Sequence, residues 1–257
     1  MRLFLGLMFA TVTAVAVAAQ TDTIPATGGD IQITPMMRMS VQIEHAGIVI
    51  HVDPTAESLG SQGKPADLIL VTDIHPDNYD PDQIAKLRKP GAVVVMPEAV
   101  ATLAAGTIAT PTRVVSNGET VTVGAITVEA VAMYNVQRGP KPGEAYQPKG
   151  RGNGYLVTVG GTRLYFAGKT ECTPEMKALE DIEVAFVPLQ MPETMPPFEA
   201  GECVTAFQPK TVYVYRYAGQ KNDEAFFRAV LKPTPIVVHV NTEPAEAAPV
   251  PLRPGPR

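Results

Sequence analysis

The chain has 257 residues, enough for one domain with a substantial buried core. Its formal net charge of −5, with no run of Lys or Arg, gives no electrostatic footprint for nucleic acid or an anionic membrane surface. The two cysteines, Cys172 and Cys203, form no CxxC pair, which argues against a thiolate metal site.

Met1-Arg2, the apolar run Leu3 to Val17 and the small residues Ala18-Ala19 have the layout of a positive n-region, an h-region and a cleavage site. Residues 1–19 are therefore expected to be a signal peptide, with the mature chain beginning near Gln20. The run is shorter than the ~20 residues a spanning helix needs, and polar Gln20-Thr21-Asp22 follows at once. With no second apolar run of that length, a periplasmic or secreted product with no membrane span after cleavage is expected. Such a compartment permits a Cys172–Cys203 disulfide, although two separate buried thiols fit the sequence equally well.

Ile31 to Thr34, Ser40 to Glu44 and Gly47 to Val52 read as strands, the last two joined by a turn at His45-Ala46-Gly47. Asp67 to Val71 is a continuous apolar run of strand length, the pattern of a strand covered on both faces. The polar loop Thr72-Asp73-Ile74-His75-Pro76-Asp77-Asn78 follows it. Asp80, Pro81 and Gln83 are spaced as cap, first helical residue and capping partner of a helix whose inward stripe includes Ile84 and Leu87. Val93 to Val95 returns as a strand, Pro97 to Leu103 as a short helix, and Thr112 to Val131 as two or three strands with turns at Asn117-Gly118 and Gly124.

A Gly- and Pro-rich loop from Gln137 to Gly152 precedes a hairpin, Gly154 to Val159 and Thr162 to Ala167, around Gly160-Gly161. Three looser units follow: a helix from Pro174 capped by Thr173, strand Ile182 to Val187, helix Pro197 to Phe207, strand Thr211 to Tyr215, helix Asp223 to Leu231 and strand Ile236 to Val240. Residues 242–257 carry five prolines and no periodic apolar pattern, and read as a disordered tail after a single domain over residues 23–241.

The loop after the buried strand collects Asp73, His75, Asp77 and Asn78, side-chain types suited to metal or acid–base chemistry, although capping Asp residues in an ordinary polar loop explain the spacing alone. The longer context is more specific. Val49-Ile50-His51-Val52-Asp53-Pro54, the run Ala66 to Thr72, Asp80-Pro81, Gly154-Tyr155 and Leu164-Tyr165-Phe166-Ala167-Gly168-Lys169-Thr170 together resemble the metallo-β-lactamase superfamily, in its ascorbate-phosphate-lactonase-like branch. The resemblance covers Asp30 to Val240 and implies an αββα sandwich, two mixed sheets with helices on the outer faces.

The resemblance also implies two metal ions, usually zinc, held by His-x-His-x-Asp-His, a later His, a bridging Asp and a last His. Such metals lower the pKa of a bridging water and polarise the scissile bond. Here His75 and Asp77 match, whereas Asp73 and Asn78 stand at the first and last His positions of the loop. Gln147 takes the place of the later His, Lys169 of the bridging Asp and Arg216 of the last His, and Arg38 falls where relatives often carry another active-site His. At an effective dielectric of about 20, a divalent ion 4 Å from one ammonium is disfavoured by about 8 kcal/mol. No dinuclear centre and no metal cofactor are therefore expected; Asp73, His75 and Asp77 are the residual metal candidates.

Lys169, Arg216 and Arg38 are expected to put positive charge where the metals would sit, opposite Asp73 and Asp77, closing the site as a network of ion pairs. His75, Asp77 and Lys169 are the candidates for residual catalysis, with Arg38, Asp73, Asn78, Gln147, Glu171 and Arg216 lining the pocket. Glu171 also fits a solvated loop acid, and His45, His51 and His239 fit structural or exposed positions. Arg138, Lys141, Lys149 and Arg151 form a loop suited either to solvent or to an anionic ligand. The leading expectation is a metal-poor, inactive relative that retains binding of a small anionic ligand in the cleft. The alternatives are a hydrolase using one metal or none, and a structural or partner-binding protein.

Overall fold

Alternation along the strands divides the apolar residues among three core layers. In Asp67 to Val71, Leu68 and Leu70 face a central layer, while Ile69 and Val71 face an outer one. The structure is a computed structural model that describes residues 21–109, 112–215 and 222–240. The expected leader over residues 1–19, Arg216 and the tail over residues 242–257 lie outside the described residues.

The first half contains β1 (Asp22–Ile24), β2 (Ile31–Pro35), β3 (Val41–His45), β4 (Ile48–Val52), α1 (Ala56–Leu59), β5 (Ala66–Leu70), α2 (Pro81–Leu87), β6 (Arg88–Met96), α3 (Glu98–Leu103) and β7 (Thr112–Val114). The second contains β8 (Thr120–Val123), β9 (Ile126–Met133), β10 (Gly152–Val159), β11 (Thr162–Phe166), α4 (Pro174–Lys177), β12 (Val184–Pro188), α5 (Pro197–Phe207), β13 (Thr211–Tyr215), α6 (Asp223–Leu231) and β14 (Val237–Val240). Each half builds one seven-stranded mixed sheet, in the orders β1-β2-β3-β4-β5-β6-β7 and β14-β13-β12-β11-β10-β9-β8. In both, an antiparallel meander is followed by parallel strands returned through helices. This is the expected αββα sandwich.

The inner faces of the two sheets share one central core, in which Phe166, Phe186 and Tyr213, on neighbouring strands of the second sheet, stack at centroid spacings of 4.9 Å. One outer core packs α4, α5 and α6 against the second sheet, and another packs α1, α2 and α3 against the first. The sequence signals at the element ends act as expected. Ala46-Gly47 and Gly160-Gly161 both take positive φ, as the two-residue turns of β3–β4 and β10–β11 require. Asp80 Oδ1 accepts the Gln83 N–H at 2.9 Å and starts α2 at Pro81.

Some differences from the sequence reading have a clear local cause. β6 starts at Arg88, directly after α2, because Ala66 pairs with Arg88 across a register shift before Leu68 meets Val93. The short elements α1 and β1 carry no periodic signal, and they form because Thr55 caps Ser58 and β2 offers β1 a free edge. β10 begins at Gly152, two residues earlier than expected, since Gly152 and Asn153 pair with the end of β9.

Cys172 and Cys203 are disulfide-bonded, with Cα atoms 5.7 Å apart and a sequence separation of 31. The bond ties the segment after β11 to α5. Closing a loop of this size in the unfolded chain is worth about 3–4 kcal/mol in the chain-entropy account. Urea unfolding with and without a reductant should therefore show a loss of about 2–4 kcal/mol on reduction, reproduced by Cys203→Ser. An unchanged midpoint would mean that the cross-link adds nothing.

Candidate functional site

In sheets with parallel strands, clefts form beyond the carboxyl ends of those strands. Asp53 follows β4, residues 72–78 follow β5, Lys169 follows β11, and the loop bearing Glu193 follows β12. The two halves meet here at short range: Asn153 N donates to Thr72 O at 2.9 Å, and Tyr155 OH donates to Val71 O at 2.8 Å. The approach requires glycine twice. A β-carbon on Gly152 would meet Thr72 O at 2.8 Å and Asp73 Oδ2 at 3.1 Å, and Gly168, at φ 69°, abuts Met133 Sδ and Thr72.

Asp73 is fully buried, and both its oxygens are engaged by Arg151, Nε to Oδ2 at 3.1 Å and Nη2 to Oδ1 at 2.9 Å. Oδ1 also accepts the His75 N–H at 2.9 Å. Arg151 is fixed in turn by the Tyr146 carbonyl at 2.9 Å and by a short contact with Gln147 Oε1. A planar guanidinium matched to a carboxylate neutralises it while satisfying its lone pairs. His75 and Asp77 lie nearer solvent: Asp77 N donates to His75 Nδ1 at 3.2 Å, which itself lies 3.5 Å from Asp77 Oδ2. Arg38 reaches Asp77 Oδ1 at 3.4 Å and Glu57 Oε1 at 2.5 Å from a backbone held at φ 56°.

Behind this layer, Asp53 accepts from Thr72 N at 2.8 Å, Thr72 Oγ1 at 2.7 Å and Asn78 Nδ2 at 2.8 Å. Asp53 is also strained, with φ 46°. Burial pushes its carboxyl up to about 7, against the pull of the three donors, and the Asp73 charge adds to the rise. The amide of Asn78 is directed by Nδ2 toward Asp53 and Thr72, and its buried Oδ1 has no hydrogen-bond partner. Asn78 therefore serves the buried hydrogen bonds under the loop.

Lys169 is completely buried and pairs with Glu193 at 2.5 Å. The β12 loop thus supplies a carboxylate to Lys169 beyond the Asp73 and Asp77 that the sequence reading placed opposite it, and Arg151 holds Asp73. Glu171 is not the solvated loop acid that the sequence also allowed, but a buried anchor. Its carboxylate accepts the N–H groups of Val136, Gln137 and Arg138 at 2.7–3.0 Å and Asn135 Nδ2 at 3.0 Å. Burial alone would raise its pKa, but these donors and the Arg138 guanidinium hold it below the usual carboxylate range. Gln147 is buried beside them, its N–H donating to Asn135 Oδ1 at 2.7 Å.

Each cation of the basic loop has a carboxylate partner. Arg138 pairs with Glu171 and Glu199, Lys141 with Glu144, Lys149 with Glu175 and Arg151 with Asp73. His51 is buried and bonds the Lys64 carbonyl at 2.9 Å, while His239 stacks on Tyr213. Three residues that organise the site were not singled out from the sequence: Asp53, Arg151 as the partner of Asp73, and Glu193. Asp53-Pro54 at the end of a buried strand was a readable hint for the first; Glu193 sits in a Met- and Pro-rich loop without one.

Arg151→Ala strands a buried carboxylate, so it should destabilise the fold by about 3–5 kcal/mol in chemical denaturation, while Arg151→Lys, without the fork, recovers only part. Asp53 works in the opposite sense to a paired carboxylate. Its folded pKa lies above the unfolded value of 3.8, so the folded state holds the proton longer, and stability falls as pH rises from about 4 to about 7. Unfolding free energies measured across that window should show a smaller decline in Asp53→Asn than in the unsubstituted chain; parallel curves would refute the assignment.

Comparison with known proteins agrees with this architecture. A Beta-lactamase superfamily domain profile matches residues 32–214. The chain is 25% identical over 229 residues to a UPF0173 metal-dependent hydrolase of Methanopyrus kandleri, covering 84% of this chain and 99% of that one. It is 30% identical over 200 residues to a UPF0173 metal-dependent hydrolase of Aeropyrum pernix, covering 72% and 82% respectively. Among solved structures, a protein of Parabacteroides distasonis classed as a metal-dependent hydrolase superposes with TM-score 0.77 at 32% identity, over 86% of this chain and 98% of its own. The metallo hydrolase Igni18 of Ignicoccus hospitalis shares the fold at TM-score 0.65 and 18% identity, over 82% and 94%. By profile, sequence and fold, this chain belongs to the metallo-β-lactamase superfamily, among the metal-dependent hydrolases.

Proposed function

We propose that this chain is a metal-poor member of the ascorbate-phosphate-lactonase-like branch, in which ion pairs do the structural work of the metals and hydrolysis has been lost. The observation that carries this reading is the occupation of Asp73 by Arg151 on both oxygens while a buried lysine, Lys169, stands at the bridging-Asp position. The donor set does not fit a metal pair. Asp73 is already neutralised, Asn78 directs its amide nitrogen inward, and Lys169 brings a positive charge paired with Glu193. Among the described residues, no three His, Cys, Asp or Glu side chains converge as a metal-binding group.

Three ion pairs take the place of metal contacts around the loop. Arg38 with Asp77, Arg151 with Asp73 and Lys169 with Glu193 neutralise charge locally. Such pairs hold the loop geometry without a cation. His75, Asp77, Arg38 and Arg151 remain part-exposed at the mouth, and in this reading they contact a small anionic ligand held without turnover. The Cys172–Cys203 bond supports assignment to an oxidising compartment, in keeping with the leader-like N-terminus.

The purified chain, reloaded with zinc or manganese, should retain well below one equivalent of metal and show no turnover of lactones, esters or phosphoesters above that of His75→Ala. Replacing Lys169→Asp, Asn78→His and Arg216→His together with Arg151→Ala should raise metal content, read by elemental analysis. Stoichiometric metal in the unsubstituted chain, with turnover lost in His75→Ala, would establish instead the mononuclear hydrolase on Asp73, His75 and Asp77.

A further inference from the structure

The loop that delivers Arg151 to Asp73 has little apolar packing of its own. None of residues 136–146 is buried, and Val136 at its entry is 51% exposed. A segment without buried apolar contacts opens readily unless polar anchors hold it. Asn135 and Gln147 pinch its ends together, Asn135 N donating to Gln147 O at 2.8 Å and Gln147 N to Asn135 Oδ1 at 2.7 Å. Glu171 holds the entry through the N–H groups of Val136, Gln137 and Arg138. Arg138 Nη2 then reaches Glu199 Oε2 on α5 at 2.6 Å, while its Nη1 lies 3.3 Å from Glu171 Oε1.

One guanidinium thus clamps two carboxylates from different parts of the chain, and the disulfide adjoins both. Cys172 directly follows Glu171, and Cys203 stands one turn along α5 from Glu199, on the same face. The bond therefore fixes the spacing of the two groups that Arg138 bridges. Without it, α5 and the segment bearing Glu171 are free to part, and Arg138 keeps only one of its carboxylates. From Glu171 the contacts continue to the cleft. Asn135 Nδ2 donates to Glu171 Oε1 at 3.0 Å and to Glu193 O at 2.9 Å, touching the partner of Lys169. Gln147, pinned by Asn135, makes a short contact with Arg151 through Oε1, and Arg151 holds Asp73.

We propose that the Cys172–Cys203 bond is a redox switch for the cleft, in which thiol–disulfide exchange releases residues 135–151 and with them the Arg151 fork from Asp73. This rests on the reading above only in taking the Arg151–Asp73 pair as the resting state of the site. The reductant is a thiol. Its thiolate attacks Cys172 Sγ, since Cys172 is part-exposed and Cys203 buried. A mixed disulfide forms on Cys172 while the Cys203 thiolate leaves and takes up a proton. A second thiolate then displaces Cys172, which is protonated in turn, and the two reductant sulfurs end joined; two electrons and two protons have passed to the protein.

Amide hydrogen exchange on the full chain, oxidised and after treatment with dithiothreitol, reads both ends of this path. The amides of Val136, Gln137 and Arg138 should exchange at least about tenfold faster on reduction. Those of His75 and Asn153, bonded to Asp73 and to the Thr72 carbonyl, should follow by at least about threefold, while β2, β3 and β4 change less than about twofold. Cys203→Ser should reproduce the pattern without reductant. In the oxidised Glu199→Gln chain the three loop amides should already be fast, and dithiothreitol should add less than about twofold, because both changes open one clamp. A uniform rise across both sheets, or a full response to reductant in Glu199→Gln, overturns the proposal: the bond then acts on global stability or by another route. A response confined to residues 136–138 overturns it too, since the release stops short of Asp73. Amide exchange reads neither metal retention nor turnover, so failure here is distinct from failure of the metal-poor reading.

Discussion

A carboxylate with no access to water has to be neutralised where it stands, and in this protein Asp73 imposes that requirement on everything around it. It sits at the end of β5 between two apolar layers, completely buried. The Arg151 fork meets it from the far half of the molecule. That pairing sets where the start of β10 crosses the β5 loop, which is why Gly152 leaves no room for a side chain and why Asn153 bonds the Thr72 carbonyl. The two sheets are joined at the cleft by charge and hydrogen bonds, and across the central layer by apolar packing.

The same solution recurs around the cleft with different partners. Lys169 is balanced by Glu193 from the next loop of its own sheet, Asp77 by Arg38 from the opening between β2 and β3, and Asp53 by three neutral donors. A single cation pair could serve several such carboxylates at once through its double charges; monovalent side chains have to be matched locally. The strained backbones of Arg38 and Asp53 fit that picture, since both residues hold left-handed conformations where their side chains are fixed by partners.

Much of the architecture was legible because it rests on local or periodic signals. Ala46-Gly47 and Gly160-Gly161 mark two-residue hairpins by conformational necessity, and Asp80-Pro81 marks the start of α2 by its capping chemistry. The continuous apolar run before Thr72 marks a strand covered on both sides. The ordered blocks around Asp53, residues 72–78 and Gly168-Lys169-Thr170 locate the site, since loops at the ends of neighbouring parallel strands must converge. The pairing within the site was less legible. Arg151 stands 78 residues from Asp73 in a stretch that reads locally as a solvated basic loop. Glu171 resembles a loop acid until the three backbone N–H groups folded around it are visible.

By itself, the order of apolar runs, turns and caps indicated sheets with helices outside, because those features depend on residue periodicity and backbone conformation over short spans, and the resemblance of the ordered blocks to the metallo-β-lactamase superfamily implied the two-sheet sandwich and its cleft loops. The substitutions at the family's ligand positions were likewise plain in the residues themselves. Only the tertiary structure decided which opposite charges meet. That Lys169 takes Glu193 and Asp73 takes Arg151 depends on distance and burial across two sheets, quantities with no counterpart in the linear order of the chain.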